Sequence, residues 1–406
     1  MAEYVQIYQD LNDIVAQQDG FSDLGTITAD NFADFGKVVS DLNLSGQFMN
    51  EMAMKIAKTH IEAREYAGIG PDLMVDAYDW GIITEWVTIE QPAAIIDEAY
   101  NITNGQSVDM YEVSMPSVKV NYYAKEEKWV VKVTRYKDQI KSVFKDAETF
   151  ERFWSAYDVE VENAIREQND GLASALLATG IAETMFDEYS TSVNTAYLSN
   201  TSTKARNLLK EYNDIHTTDP ETVATCLENP EFIRFCNKQM NLQKARLKKN
   251  TGVFNIAKRK CHTSDEYLKF FVHADYVASA RSNLYSTQFN KEDVLMPDGY
   301  QELPSFQAII DTAGGIDAFD FDVTSAVDCT ITWDNAGTPT TQNVDVKGIL
   351  AVMCDKYACV VFNKLRDVET TPINAYGLYT NTFNHMTTNL QFHRDFNFVV
   401  FYIAES

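Results

Sequence analysis

The stretch Asp146–Thr179, DAETFERFWSAYDVEVENAIREQNDGLASALLAT, sets the architecture of the chain around it. Its apolar residues Phe150, Phe153, Trp154, Tyr157, Val161, Ala164, Ile165, Leu172, Ala175 and Leu176 recur at three- and four-residue spacing, which keeps one face of an α-helix apolar. Asp146 stands where an N-cap belongs, and Glu148 and Glu151 fall in the first turn, where the helix dipole favours negative charge. At 1.5 Å per residue the run is roughly 50 Å long, enough to cross an ordinary domain. It is therefore expected to act as a spine, with Phe150, Phe153, Trp154, Tyr157 and Val161 on its buried face. Gly171, after Asn169 and Asp170, is the weak point, a place for a kink or a break.

Immediately upstream, Ser107–Val120 and Lys128–Tyr136 alternate in the strand manner, with Val118, Val120 and Tyr122 in one run and Trp129, Val131 and Val133 in the other. With AKEEK between them, they predict a long β-hairpin projecting from the start of the spine. Lys119, Lys125, Lys128, Lys132 and Arg135, followed by Lys137, Lys141 and Lys145, make this hairpin basic. Lysines protect strand edges from unwanted pairing. A long isolated hairpin is nevertheless marginal in water, so the expectation is that it leans on an acidic neighbour.

That charge is conspicuous because the 406-residue chain carries a net charge of −25, with 45% apolar residues. Such a length can bury two or three domain-sized cores. A balance this acidic argues against a dedicated nucleic-acid binder, which needs clustered Lys and Arg. No stretch approaches 18 consecutive apolar residues, and the N-terminal MAEYVQIYQDLND has neither a basic end nor an apolar block, so no membrane partner is expected. The six cysteines, Cys226, Cys236, Cys261, Cys329, Cys354 and Cys359, form no CxxC pair and read as reduced, mostly buried thiols.

Residues 1 to about 105 are the acidic part, with eighteen carboxylates from Glu3 to Glu98 against Lys37, Lys55, Lys58 and Arg64. Met1–Gln18 and Gln47–Tyr66 look helical, but the segment shows little sign of its own core and reads as an arm. Beyond the spine come a polar linker and helical material over Ala205–Lys249. Leu268–Val272 then reads as a buried strand feeding a helix. Arg234, Lys238, Lys244, Arg246, Lys248, Lys249, Lys258, Arg259 and Lys260 face Glu231 alone between residues 231 and 260. This second cationic patch is either a solvated helix face or a contact with a polyanion. From Phe306 onward the pattern is β-rich. Asp320–Val327 alternates, Thr330–Trp333 is a short strand before the turn DNAGTPTTQN, and Val344–Met353, Tyr357–Phe362 and Phe396–Ile403 follow as strands. Helices and strands are segregated, which is α+β rather than βαβ.

Chemistry finds no constellation. P-loop, nucleophile-elbow, HExxH and GxGxxG patterns are all missing from the sequence. Cys261, His262, His273 and Asp275 are the nearest thing to a metal cluster and match no established zinc spacing. Asp320 and Asp322, with Asp317 nearby, suit solvent exposure or a cation. The expectation is no enzyme, no cofactor and no metal.

The order of these elements resembles the HK97-type major capsid proteins of tailed bacteriophages, and three stretches add to it. Val113–Trp154, VSMPSVKVNYYAKEEKWVVKVTRYKDQIKSVFKDAETFERFW, is similar to the extended loop entering the spine helix in short-tailed, phi29-like and related gut-phage capsid proteins. Leu268–Phe306 resembles their mixed axial domain. Lys347–Phe401, with Gly348–Ala351, Asp355, Asn374 and Gly377, is close in pattern to their C-terminal end.

The resemblance implies an arm over 1–105 and an extended loop over 106–145. It implies a peripheral domain over 146–204 and 300–345, and an axial domain with closing strands over 205–299 and 346–406. It further implies hexamers and pentamers of one chain enclosing double-stranded DNA in a virion built in the host cytoplasm, with portal and scaffolding proteins as partners. Lys119, Lys125, Lys128, Trp129, Lys132 and Arg135 are then the inter-subunit residues. Lys244, Arg246, Lys248, Lys249, Lys258, Arg259 and Lys260 are candidates for a DNA- or scaffold-facing surface. Three rival readings stay open at this point: an encapsulin-like compartment shell, a tail or portal-adjacent structural protein, and an enzyme using a cation near Asp320 and Asp322.

Overall fold

The computed structural model describes residues 64–136 with short gaps, 147–285, 299–306, and 321–405 with short gaps. These residues fall chiefly in one compact unit, Arg64–Ala147 with Tyr157–Ser406; Glu148–Ala156 belong to another. The expected helices Met1–Gln18 and Gln47–Tyr66 lie almost wholly outside the described residues.

The spine is helix α1, Ala147–Tyr189, 43 residues long and unbroken at Gly171, where a side chain would meet only open space. Its buried stripe runs through Ile165, Asn169, Ala173, Leu176, Leu177, Ile181 and Met185, one residue every three or four. Val161 is half-buried and Ala175 exposed, so the apolar face is displaced from the expected one by about a residue in the C-terminal half. The side chains of Phe150, Phe153, Trp154 and Tyr157 lie outside the described residues. At Gly180 the helix packs closely: a Cβ there would come within 2.9 Å of Phe392. The helix gives way at Ser190, which has a positive φ of 53°, to a 3-10 turn and helix α2, Val193–Ser199.

Two five-stranded sheets pack around it. The first takes strands in the order β5 (Ala205–Asn207), β14 (Phe398–Tyr402), β10 (Ile349–Asp355), β6 (Leu268–His273) and β7 (Tyr300–Leu303). All residues of β10 and β14 are buried, because both faces of this sheet are covered. Val352, Cys354, Phe398, Val400 and Tyr402 join one core with Leu177, Ile181 and Met185 of the spine. Met353, Val399, Phe401, Phe270 and Val272 join a second core with Phe232, Ile233 and Met240 of helix α4, Pro230–Leu247, and Tyr276 and Val277 of helix α5, Ala274–Tyr285. Helix α3, Leu208–Asn213, closes that side and is capped by the Asn207 side chain. The continuous apolar runs LKFFVH and FVVF follow from burial on both faces.

The second sheet is organised by β13, Tyr379–Phe392, fourteen residues long. One edge pairs with β4, Glu126–Tyr136, and the other with β12, Asp367–Thr370, and β11, Cys359–Lys364. Strand β1, Met74–Tyr78, adds in parallel to β11. Two ribbons complete the fold: β2 (Thr84–Ile89) with β3 (Val118–Tyr123), and β8 (Val327–Asn335) with β9 (Thr338–Val346).

Several expectations change. The runs on either side of AKEEK are not partners: β3 pairs with β2, and β4 pairs with β13. The ribbon is thus formed by 84–89 and 118–123, and β3 takes its backbone hydrogen bonds from a strand nearly thirty residues earlier in sequence. The segment expected to be an arm up to about 105 contains β1 and β2, both sheet-forming. Residues 300–303 pair with β6, whereas β11 pairs with β1 and β13 with β4. Phe321–Thr324 is a single helical turn, α6, not the start of a strand. Long-range pairing overrode local alternation in each case.

Candidate functional site

The foot of the β2–β3 ribbon rests on the turn between β13 and β14, His393–Asn397. Strand alternation sends Trp86, Thr88, Lys119, Asn121 and Tyr123 to the face that meets this turn. Asp395, 2% exposed, accepts from Lys119 Nζ at 3.0 Å and from Asn121 Nδ2 at 2.7 Å. His393 is fully buried, with Nδ1 2.9 Å from the Tyr123 hydroxyl, its ring 4.6 Å from Trp86, and Nε2 without a hydrogen-bond partner. Burial pulls the imidazole down to about 4, against the opposing pull of Asp395, and pushes the Tyr123 hydroxyl up to about 12. Phe396 and Tyr357 complete an aromatic cluster around Trp86.

The opposite face carries Glu85, Val87 and Ile89 in register with Tyr122, Val120 and Val118. Val87, Ile89, Val118, Val120 and Tyr122 are 53%, 60%, 53%, 38% and 67% exposed. Beyond it, Val113 and Met115 in the connection are also exposed. Five large apolar side chains thus share one exposed ribbon face on a strongly acidic chain.

The hairpin residues singled out in the sequence scatter over three environments. Lys119 is held by Asp395. Lys128 is exposed on β4, Trp129 Nε1 donates to Thr388 Oγ1 at 3.2 Å, and Lys132 lies 5.7 Å from the Phe383 ring centre. Arg135 pairs in register with Thr380, and Lys125 lies outside the described residues. The apolar face, which the lysines drew attention away from, was visible as Val87, Ile89, Val118 and Val120, two residues apart on each strand.

The second basic stretch holds together better. Lys244 and Lys248 share Asp265, at 3.6 and 2.7 Å, which holds that carboxyl below its usual range. Arg246, Lys249, Lys258 and Lys260 are exposed. Arg259 turns inward instead, its guanidinium carbon 5.9 Å from the centre of the Phe396 ring.

The six cysteines are free thiols: Cys226, Cys236, Cys354 and Cys359 are buried, Cys261 and Cys329 half-buried. His273 is buried between Thr324 Oγ1 and the Asp275 amide at the start of α5, whereas His262 is exposed, so the residues of the metal-like quartet face different surroundings. Asp322 is exposed, and Asp317 and Asp320 lie outside the described residues. Among the described residues no helix is long and apolar enough to cross a membrane.

Comparison with solved structures places the fold. The chain superimposes on the capsid structure of Staphylococcus phage Andhra with a TM-score of 0.52 at 10% identity, covering 86% of this chain and 87% of that one. A structure of native bacteriophage P68 and the capsid structure of cyanophage P-SCSP1u are similar at TM-scores of 0.49 and 0.49, with 10% and 12% identity, covering 86% of this chain and 87% and 92% of theirs. No curated protein sequence matches the chain. The Phi29-like phage major capsid protein family matches residues 12–402. With nearly its whole length accounted for, this chain belongs to the phi29-like phage major capsid protein family: an HK97-like structural protein of the icosahedral head, a virion component that works as a homo-oligomeric shell and not as an enzyme.

Proposed function

We propose that the chain tiles the head as hexamers and pentamers around packaged double-stranded DNA, with portal and scaffolding proteins as further partners. In this reading the β2–β3 ribbon is the extended loop. The β13-centred sheet with the spine is the peripheral domain, and the β10-centred sheet with α4 and α5 is the axial one. The observation that carries it is the outer ribbon face of Val87, Ile89, Val118, Val120 and Tyr122, apolar and exposed while the inner face is tied to Asp395 and His393. Shell interfaces are modest and heterologous, so an apolar strip presented on a fixed ribbon suits a neighbouring copy. Two of the ribbon-region lysines, Lys119 and Lys132, serve contacts within the chain, which leaves the apolar strip as the main grip and Lys128 as an electrostatic supplement.

The test is Val120→Asp with Tyr122→Asp. The subunit keeps its circular dichroism and elutes normally, because both side chains face solvent, and closed shells disappear from negative-stain micrographs. Shells in normal yield from the double variant overturn the ribbon's role.

A further inference from the structure

We propose that Arg246, Lys249, Lys258 and Lys260 form a contact site for the phosphate backbone of duplex DNA. This rests on the reading that the shell encloses packaged DNA, and it assigns one particular surface to that contact. No carboxylate occurs between Glu231 and Asp265, in a chain with 59 acidic residues. The single acid that closes this interval, Asp265, is already shared by Lys244 and Lys248. The cations that remain lie on a built framework.

The loop after α4 is closed by the Thr251–Cys261 bridge, with N–H···O distances of 3.1 and 3.2 Å in the two directions. Asn255 fastens the Arg259 carbonyl at 2.6 Å and accepts from the Arg259 amide at 2.9 Å. Gly252 packs on the Lys258 carbonyl, where any Cβ would collide. Phe254 and Asn255 are buried, and the Phe254 carbonyl accepts from the Phe398 amide at 2.9 Å. Lys258 is held with φ 56°, in the left-handed region that non-glycine residues rarely adopt. The loop therefore turns Arg259 inward onto Phe396 and displays Lys258 and Lys260 outward on either side of it.

Two polyanions are at hand, the duplex and the acidic N-terminal segment of a second copy, and the surface chemistry favours the duplex. Protein interfaces have an apolar core, whereas between residues 244 and 262 Val253 is the one exposed large apolar side chain. Residues 1–63 spread ten carboxylates among apolar and three basic residues. Duplex DNA presents one charge about every 1.7 Å, uniformly and without apolar anchors. A small, dense, apolar-poor cluster matches the second pattern.

The experiment measures the fluorescence anisotropy of a mixed-sequence 30-base-pair duplex with purified unassembled subunit between about 50 and 200 mM NaCl. The comparison is with the triple variant Lys249→Gln/Lys258→Gln/Lys260→Gln. Removing three phosphate contacts lowers the slope of log K against log salt by about 2.7, and binding at the low-salt end falls at least about tenfold. Equal binding and equal slope for the two proteins overturn the proposal. So does displacement of the duplex by polyglutamate at matched charge, which would assign the patch to an acidic polypeptide. Shell assembly of the triple variant is scored in parallel by negative-stain microscopy. Loss of shells would make the patch a subunit contact and overturn its DNA role while leaving the capsid reading intact. Normal shells from the ribbon variant, by contrast, overturn only the ribbon's role and leave the DNA contact untouched.

Discussion

His393 gives the sharpest physical test of the ribbon foot. Its ring is fully buried between Trp86, Tyr123 and Phe396, and burial pulls its pKa from 6.5 to about 4. Asp395, itself paired with Lys119, favours the imidazolium, yet desolvation dominates. Because the folded pKa is depressed, the unfolded chain binds the extra proton first. Stability from this residue is complete above about pH 6.5 and is lost as the pH falls towards 4. At about 1.4 kcal/mol per tenfold change, the full displacement is worth about 3.4 kcal/mol, of which about 2 kcal/mol is gone at pH 5.

The assay is a urea titration at pH 7.5 and pH 5.0 on wild type and His393→Gln, followed by tryptophan fluorescence, to which Trp86 against the imidazole contributes locally. Wild type loses about 2 kcal/mol more than the variant between the two conditions. Other groups, such as Asp355, whose pKa burial raises, titrate in both proteins and cancel in the comparison. Identical pH dependence in the two proteins would refute the placement of a neutral, desolvated imidazole at the foot.

Ile181→Ala empties a fully buried position where the spine meets the first sheet, and its cost is about 2–5 kcal/mol by chemical denaturation. Gly348→Ala puts a Cβ against the Ile403 carbonyl at φ 79°, between β9 and β10, and yields insoluble protein in a fractionated lysate. In native protein a thiol reagent such as dithionitrobenzoate modifies Cys261 and Cys329 first. Cys226, Cys236, Cys354 and Cys359 react only on unfolding, since burial both shields them and raises their thiol pKa.

The spine was legible because a long amphipathic helix writes its periodicity locally, and it runs ten residues past the expected end because Gly180, Ile181 and Met185 continue the same stripe. Strand β6 feeding α5 was legible for a similar reason: LKFFVH is an apolar run buried on both faces. Strand β13 was not, since TNTFNHMTTNLQF is mostly polar. Its Thr388, Asn389 and Gln391 are buried all the same, with Thr388 accepting from Trp129 and donating to Asn363, and Gln391 donating to Asn389. Missing that strand concealed the partner of β4, and with it the true pairing of β3. The basic stretch was legible as a cluster. That Arg259 folds away from it depends on Phe396, more than a hundred residues distant, and no local pattern carries that information.

The turn His393–Asn397 joins the last residues of β13 to the first of β14, one strand from each sheet, and it is the place the ribbon grips. In the proposed role of the ribbon, traction by an adjoining tile would reach both sheets at once, through Asp395 and the rings around Trp86. In a shell gripped in that way, a pull on one tile would be shared between its two sheets, so that no single hydrogen-bonded edge has to bear it alone.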